Sequence, residues 1–172
     1  MNDRETAKRL LILLISAVGM IAMVGFYAWK WFGFYYPYIL IYDIKLYFNG
    51  HILILLIYAV LLFLFSNLYG GLRIGYLKPM ETFLSQIFSL ICVNVMSYFQ
   101  LALIHGWLIP AAPFLEMMGL QLVWSAVWIF LANRVYRRIF PPRRLLLIHG
   151  ERSIDDILHK FASRKDKYDI VK

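Results

Sequence analysis

The sequence predicts a mainly α-helical membrane protein: four transmembrane helices followed by a short cytosolic β-α-β unit. Three observations predict it. Apolar residues make up 62% of the chain and charged residues only 16%, against about 25% charged in an ordinary soluble domain. The charge present is strongly basic, 18 Lys and Arg against 10 Asp and Glu for a net +8, and it gathers between and beyond apolar runs. At 172 residues there is room for about four spans of roughly 20 residues each, plus a small polar remainder. A mean hydropathy of +0.66 excludes a disordered chain. The single cysteine, Cys92, excludes an intrachain disulfide, a cysteine-based zinc site and a CxxC redox pair.

The first span is residues 10–29, LLILLISAVGMIAMVGFYAW, which carries no charge and is long enough to cross about 30 Å of hydrocarbon. It ends in Phe26, Tyr27, Trp29 and Trp31 rather than a small-residue cleavage site, so it reads as a retained anchor and not a signal peptide. Residues 31–50 form an outer loop with five tyrosines, Tyr35, Tyr36, Tyr38, Tyr42 and Tyr47. Amphipathic rings settle at headgroup depth, so the loop reads as an aromatic belt in preference to a sugar-stacking site, with an Asn49-Gly50 turn leading into the second span at 52–72. No Asp, Glu, Lys or Arg occurs from Thr82 to Leu115, which is too long for one span. Pro110 and Pro113 divide it, because proline removes a ladder donor and clashes with the preceding turn. The third span is therefore 82–104, with Pro79 as a first-turn proline before it, and the fourth is 117–134, where Arg134 snorkels to the interface.

Basic residues set the orientation. Arg4, Lys8 and Arg9 precede the first span, Arg73 and Lys78 lie between the second and third, and Arg134, Arg137, Arg138, Arg143 and Arg144 follow the fourth, while the loop between the third and fourth has none. Both termini and the middle turn are expected in the cytoplasm. Arg73, Lys78, Arg137, Arg138, Arg143 and Arg144 are then candidate contacts for anionic lipid headgroups, each contributing about 1 kcal/mol near the surface. The alternative for Arg73 and Lys78 is a tight, glycine-rich turn with no ligand. Nucleic acid is a poor fit, since the cluster sits against the bilayer and no aromatic platform follows it.

Residues 1–138 thus form the membrane region and residues 139–172 a cytosolic tail, hinged at Pro141-Pro142. In the tail, 145–148 reads as a buried strand. Ser153 is a helix N-cap with Asp155 and Asp156 in the first turn. Ile154, Ile157, Leu158 and Phe161 share one helical face, and 168–171 reads as a second strand. This pattern opens a doubly wound parallel sheet, which needs more strands than two; the tail is expected to be the truncated start of such a domain. Its first turn, His149-Gly150-Glu151-Arg152, lacks the glycines of a dinucleotide site.

Within the spans the polar residues suggest packing more than chemistry. Gln86, Ser89, Ser97 and Gln100 fall within about 80° of arc on the third helix, a stripe suited to hydrogen-bonding neighbouring helices. Gln121, Trp124, Ser125 and Trp128 make a similar stripe on the fourth that could face the first. His51 and His105 lie at the outer edge without metal-ligand spacing. Glu116 starts the fourth span, where the helix dipole favours an acid, and Cys92 reads as an inert apolar-helix cysteine. No residue is predicted to be catalytic, cofactor-binding or metal-ligating.

Two stretches, LYGGLRIGYLKPMETFLSQ at 68–86 and FPPRRLLLIHGERSIDDILHKFASRKDKYDI at 140–170, resemble the N-terminal membrane region of bacterial polyprenyl glycosylphosphotransferases, which initiate exopolysaccharide and capsule assembly. The resemblance implies a four-span anchor in the bacterial inner membrane, then a Rossmann-like cytosolic domain. It also implies a later catalytic segment, with an Asp-Glu pair and Mg²⁺, that moves sugar-1-phosphate onto undecaprenyl phosphate. No residue of this chain matches that catalytic motif, so the chain alone is expected to be an inactive anchor. The implied partners are the bilayer, anionic lipid, undecaprenyl phosphate, a second copy of the chain, or polysaccharide-assembly proteins. The competing reading is a stand-alone membrane interaction protein that associates with such partners.

Overall fold

The computed structural model describes residues 3–42, 44–72, 75, 77–139, 143–146 and 168–171. Its elements are α1 (Asp3–Lys30), a π-helical turn (Trp31–Tyr35), α2 (Tyr36–Leu40), α3 (Phe48–Tyr69), α4 (Pro79–His105), α5 (Ala112–Ile139), β1 (Arg143–Leu146) and β2 (Tyr168–Val171). Four segments are long and apolar enough to cross a membrane: Leu10–Leu40, Phe48–Tyr69, Pro79–His105 and Ala112–Ile139. The number and order of the spans therefore agree with the sequence reading, while their bounds differ, most at three places.

The first difference is the outer loop. Residues 31–40 continue the first helix instead of leaving it. Pro37 has no N–H for the carbonyl of Gly33, so an uninterrupted α-helix would be broken there. The backbone widens one turn earlier, where the Tyr36 N–H bonds the Trp31 carbonyl five residues back, and the helix then resumes with Pro37 in the first turn of α2. Second, Asn49 and Gly50 do not make a turn; they lie in the first turn of α3, which begins at Phe48. Third, α5 begins at Ala112, with Pro113 in its first turn, where a proline leaves no donor wasted. Pro79 opens α4 as expected, and the Glu81 carboxylate accepts the Lys78 backbone N–H at 3.2 Å. α3 and α4 each stop on a left-handed glycine, Gly70 and Gly106.

The four long helices pack as a ring, α1 beside α3, α3 beside α4, α4 beside α5 and α5 beside α1. Each ring neighbour is antiparallel to the next, so the start of α1, the α3–α4 turn and the end of α5 share one end of the bundle. Along the α1–α5 seam, a side chain at Gly19 would overlap the Trp128 indole. That close approach lets Trp128 Nε1 donate to the Ile15 carbonyl at 3.2 Å and Trp124 Nε1 to the Gly19 carbonyl at 3.4 Å. The tryptophans expected to face α4 therefore grip α1 instead. At the far end, Tyr35 and Tyr98 donate to the carbonyls of Pro110 and Ile109 (3.0 and 2.8 Å). These bonds satisfy acceptors that the irregular α4–α5 connection leaves outside any helix.

β1 and β2 pair in parallel, Arg143 opposite Tyr168 and Leu146 opposite Val171. The first strand thus starts two residues before the expected 145. The helix expected from Ser153 lies outside the described residues, as do the Pro141-Pro142 hinge and the His149-Gly150-Glu151-Arg152 turn.

Candidate functional site

Two places bring polar chemistry together. The first is in the middle of the bundle. Tyr58 Oη donates to Asn94 Oδ1 (3.2 Å), Asn94 Nδ2 to Gln121 Oε1 (2.9 Å), and Gln121 Nε2 to Tyr58 Oη (2.7 Å) and to the Met23 carbonyl (3.1 Å). The result is a closed cycle of three side chains from α3, α4 and α5 with a tie to α1, and all three are buried. Tyr27 of α1 stacks flat on Tyr58, ring centroids 3.9 Å apart. Towards the arginine-bearing end, Gln86 Nε2 donates to Ser66 Oγ at 3.3 Å, beside a cavity of about 20 Å³, room for a single water. Groups hydrogen-bonded this completely cross-link helices.

Of the stripe predicted on α4, Gln86, Ser89 and Ser97 are buried with Gln100 at the margin, but only Gln86 bonds a neighbouring helix; Ser89 donates to the Ser85 carbonyl of its own helix. Of the α5 stripe, Gln121 does meet α4 and Ser125 bonds the Gln121 carbonyl of its own helix. Sequence reasoning passed over Asn94 and Tyr58. The available signals were an amide inside an apolar run, which must find a partner in hydrocarbon, and a tyrosine two to three turns away from either end of its span.

The second place is the end where α5 leaves the bundle. Pro79 of α4 and Phe130, Asn133, Arg134, Arg137 and Arg138 of α5 line an open cleft of about 400 Å³. The α5 residues recur at i, i+3, i+4, i+7 and i+8, one face of a helix. Among the described residues no carboxylate pairs with Arg134, Arg137 or Arg138. Gly75 anchors the neighbouring turn: its φ of +78° is left-handed, and a Cβ there would lie 2.6 Å from the Tyr136 ring of α5.

The sequence-predicted headgroup contacts divide accordingly. Arg137 and Arg138 line the cleft; Lys78 is exposed at the N-cap of α4, adjacent to the lining residue Pro79. Arg143 and Arg144 lie in β1, their backbones opposite Tyr168 and Asp169, and Arg73 lies outside the described residues. Arg134, expected at the interface, lines the same cleft, and Asn133 and Phe130 are additions, legible from the helical spacing once α5 is extended past residue 134.

At the opposite end, Lys30 pairs with Glu116, so the acid that sequence reading left alone at a helix start has a partner on α1. His51 accepts the Trp31 indole N–H at 3.1 Å among the rings of Phe32 and Tyr36, and His105 packs on Tyr38 and Tyr42. These are members of an aromatic collar carried largely on helix.

Fold and site together define a multi-pass, four-helix membrane protein with a cationic cleft at one end. No family model, curated protein or solved structure matches the chain.

Proposed function

We propose that residues 1–172 form the membrane-anchoring region of a polyprenyl-phosphate sugar-1-phosphate transferase-like protein of exopolysaccharide or capsule assembly, set in the bacterial inner membrane with both termini in the cytoplasm. The observation that carries this reading is the course of α5. It runs unbroken from Ala112 to Ile139 and leaves the bundle with Arg134, Arg137 and Arg138, at the end where α1 begins and α3 turns into α4. Basic residues are retained on the cytoplasmic side, so that end faces the cytosol. The chain beyond α5 is delivered at the inner leaflet, where a lipid-linked phosphate acceptor presents its headgroup. The parallel pairing of β1 with β2 and the resemblance at 68–86 and 140–170 support a Rossmann-like unit at that position. The role of these residues is to hold and orient, with transfer chemistry and its Mg²⁺ belonging to a catalytic segment.

Two measurements test the reading. In a Cys92→Ala background, an impermeant maleimide applied to intact cells should label Leu108→Cys and spare Lys78→Cys; the reverse pattern overturns the orientation. Residues 1–172 would then replace the N-terminal region of an authentic polyprenyl glycosylphosphotransferase. The chimera should transfer sugar-1-phosphate to undecaprenyl phosphate in membranes. A chimera that inserts correctly and makes protein but no product would overturn the transferase assignment.

A further inference from the structure

The wide turn at the far end of the first span leaves a backbone acceptor without a helical donor. In an α-helix the Phe32 carbonyl takes the N–H of residue 36, and in a π-helix that of residue 37. Here the Tyr36 N–H is taken by the Trp31 carbonyl, and residue 37 is a proline, which has no N–H. The side-chain donors of this turn are engaged elsewhere: Trp31 Nε1 on His51, Tyr35 Oη on the Pro110 carbonyl and Lys30 on Glu116. The place is also open. Phe32 is 49% exposed, Pro37 is exposed, and a side chain added at Gly33 would meet no atom within 4 Å. Two rings flank the carbonyl, Phe32 on the residue that bears it and Tyr36 one turn above, the latter set at right angles to His51 with centroids 4.4 Å apart. The Lys30–Glu116 pair joins the charges that bound the apolar stretches of α1 and α5, and so marks the edge of the hydrocarbon. Phe32 stands two residues, about 3 Å, beyond it, within a headgroup layer about 5–8 Å deep.

We infer that this turn binds the primary ammonium of a phospholipid headgroup, with one N–H donated to the Phe32 carbonyl and the cation against the rings of Phe32 and Tyr36. The inference uses the four-span bilayer placement and is independent of the transferase reading. A helical carbonyl without a donor carries the partial negative charge of a helix C-terminus, and the faces of aromatic rings are negative too. Lys30, the cation two residues away, is neutralised by Glu116 and does not repel a second one. Water can bond the carbonyl as well, but it brings no charge to the rings. A quaternary ammonium brings the charge but has no N–H for the carbonyl. A primary ammonium supplies both, at the depth where the headgroups of the same leaflet lie.

The test is native mass spectrometry of the full chain in non-ionic detergent, titrated with dioctanoyl phosphatidylethanolamine, its N,N-dimethyl derivative, dioctanoyl phosphatidylcholine and free ethanolamine. One phosphatidylethanolamine should be retained per chain, about tenfold more tightly than phosphatidylcholine. The dimethyl lipid keeps one N–H and should bind close to phosphatidylethanolamine, while free ethanolamine should compete weakly. Pro37→Ala supplies the missing N–H: whether the turn stays wide or closes to an α-turn, the Phe32 carbonyl gains a donor. The variant should lose the preference for phosphatidylethanolamine and keep the parent's affinity for phosphatidylcholine, which shows that the fold is intact. Phe32→Leu keeps the carbonyl and removes a ring, and should weaken both lipids about threefold. Equal affinity of the parent for phosphatidylethanolamine and phosphatidylcholine, or a Pro37→Ala chain that retains the preference, would overturn the site. A dimethyl lipid that binds only as phosphatidylcholine does would overturn the role of the N–H. Ethanolamine binding as tightly as the lipid would overturn the lipid assignment.

Discussion

Replacing Gln121 by methionine removes three hydrogen bonds while nearly conserving side-chain volume. Gln121 accepts from Asn94 and donates to Tyr58 and to the Met23 carbonyl, so the substitution acts on α1, α3 and α4 at once. Interhelical hydrogen bonds in membrane proteins are worth about 0.6 kcal/mol on average and about 1.7 kcal/mol at most. Three of them give an expected loss of about 2 kcal/mol, with an upper bound of about 5 kcal/mol, because Asn94 also loses the acceptor for its amide. A methionine of similar volume adds little cavity cost, so the change reads out polar bonding. Unfolding of the purified chain in mixed micelles, followed by circular dichroism against SDS mole fraction, should shift to lower SDS. Ser125→Ala, which removes only a bond to the Gln121 carbonyl within the same helix, should stay within a few tenths of a kcal/mol of the parent. A double-mutant cycle with Asn94→Leu should return a coupling near 0.6 kcal/mol. If Gln121→Met unfolds with the parent, the buried cycle does not hold the helices together.

Gly19→Leu should separate α1 from α5 and cost about 1–3 kcal/mol, with both indole hydrogen bonds lost and a change in tryptophan emission; an unchanged spectrum would show that the two helices do not meet closely at this seam. Gly75→Ala meets both a left-handed backbone and the Tyr136 ring, and should lower the unfolding midpoint by the equivalent of about 1–2 kcal/mol; Asn at the same position relieves the backbone but not the overlap and should rescue only in part. Lys30→Met should cost under about 1 kcal/mol, since Glu116 is 64% exposed and solvent screens such a pair; a larger loss that persists in molar salt would mean the pair is buried in the bilayer interface.

The helices were legible because a charge-free run of about 20 residues has few other uses. The π-helical turn was not read, although its signal was present. Met23, Tyr27, Trp31, Tyr35 and Ile39 are all buried at a strict spacing of four. A period of four overruns the 3.6 residues of an α-helix by about 40° per turn, so a straight helix cannot keep all five on one side. One wider turn takes up much of the excess. Pro37 suggested a break because proline usually makes one, and the tyrosines suggested a loop because belts of rings usually flank one. In the cleft, basic composition pointed to Arg137 and Arg138. It equally pointed to Arg143 and Arg144, which the end of α5 at Ile139 separates from that face. Composition marks the end of the bundle where cations gather; helical phase decides which of them share a cleft.

The unequal lengths of the helices bear on the bilayer itself. α3, at 22 residues, is a rod of roughly 33 Å, close to the hydrocarbon thickness of about 30 Å, whereas the 31 residues of Leu10–Leu40 amount to roughly 46 Å. Tilting cannot hide the difference: fitting 46 Å into 30 Å needs about 50°, beyond the 0–40° range of membrane helices. The last ten or so residues, about 15 Å of rod, therefore rise through a headgroup layer only about 5–8 Å deep. The tip rises together with the α4–α5 end of the bundle, since Ile39 is fully buried and Tyr38 and Tyr42 pack on His105. The Pro37 turn thus gives this protein a fixed projection on the face away from its arginines, whose height is set by helix length and not by the thickness of the membrane around it.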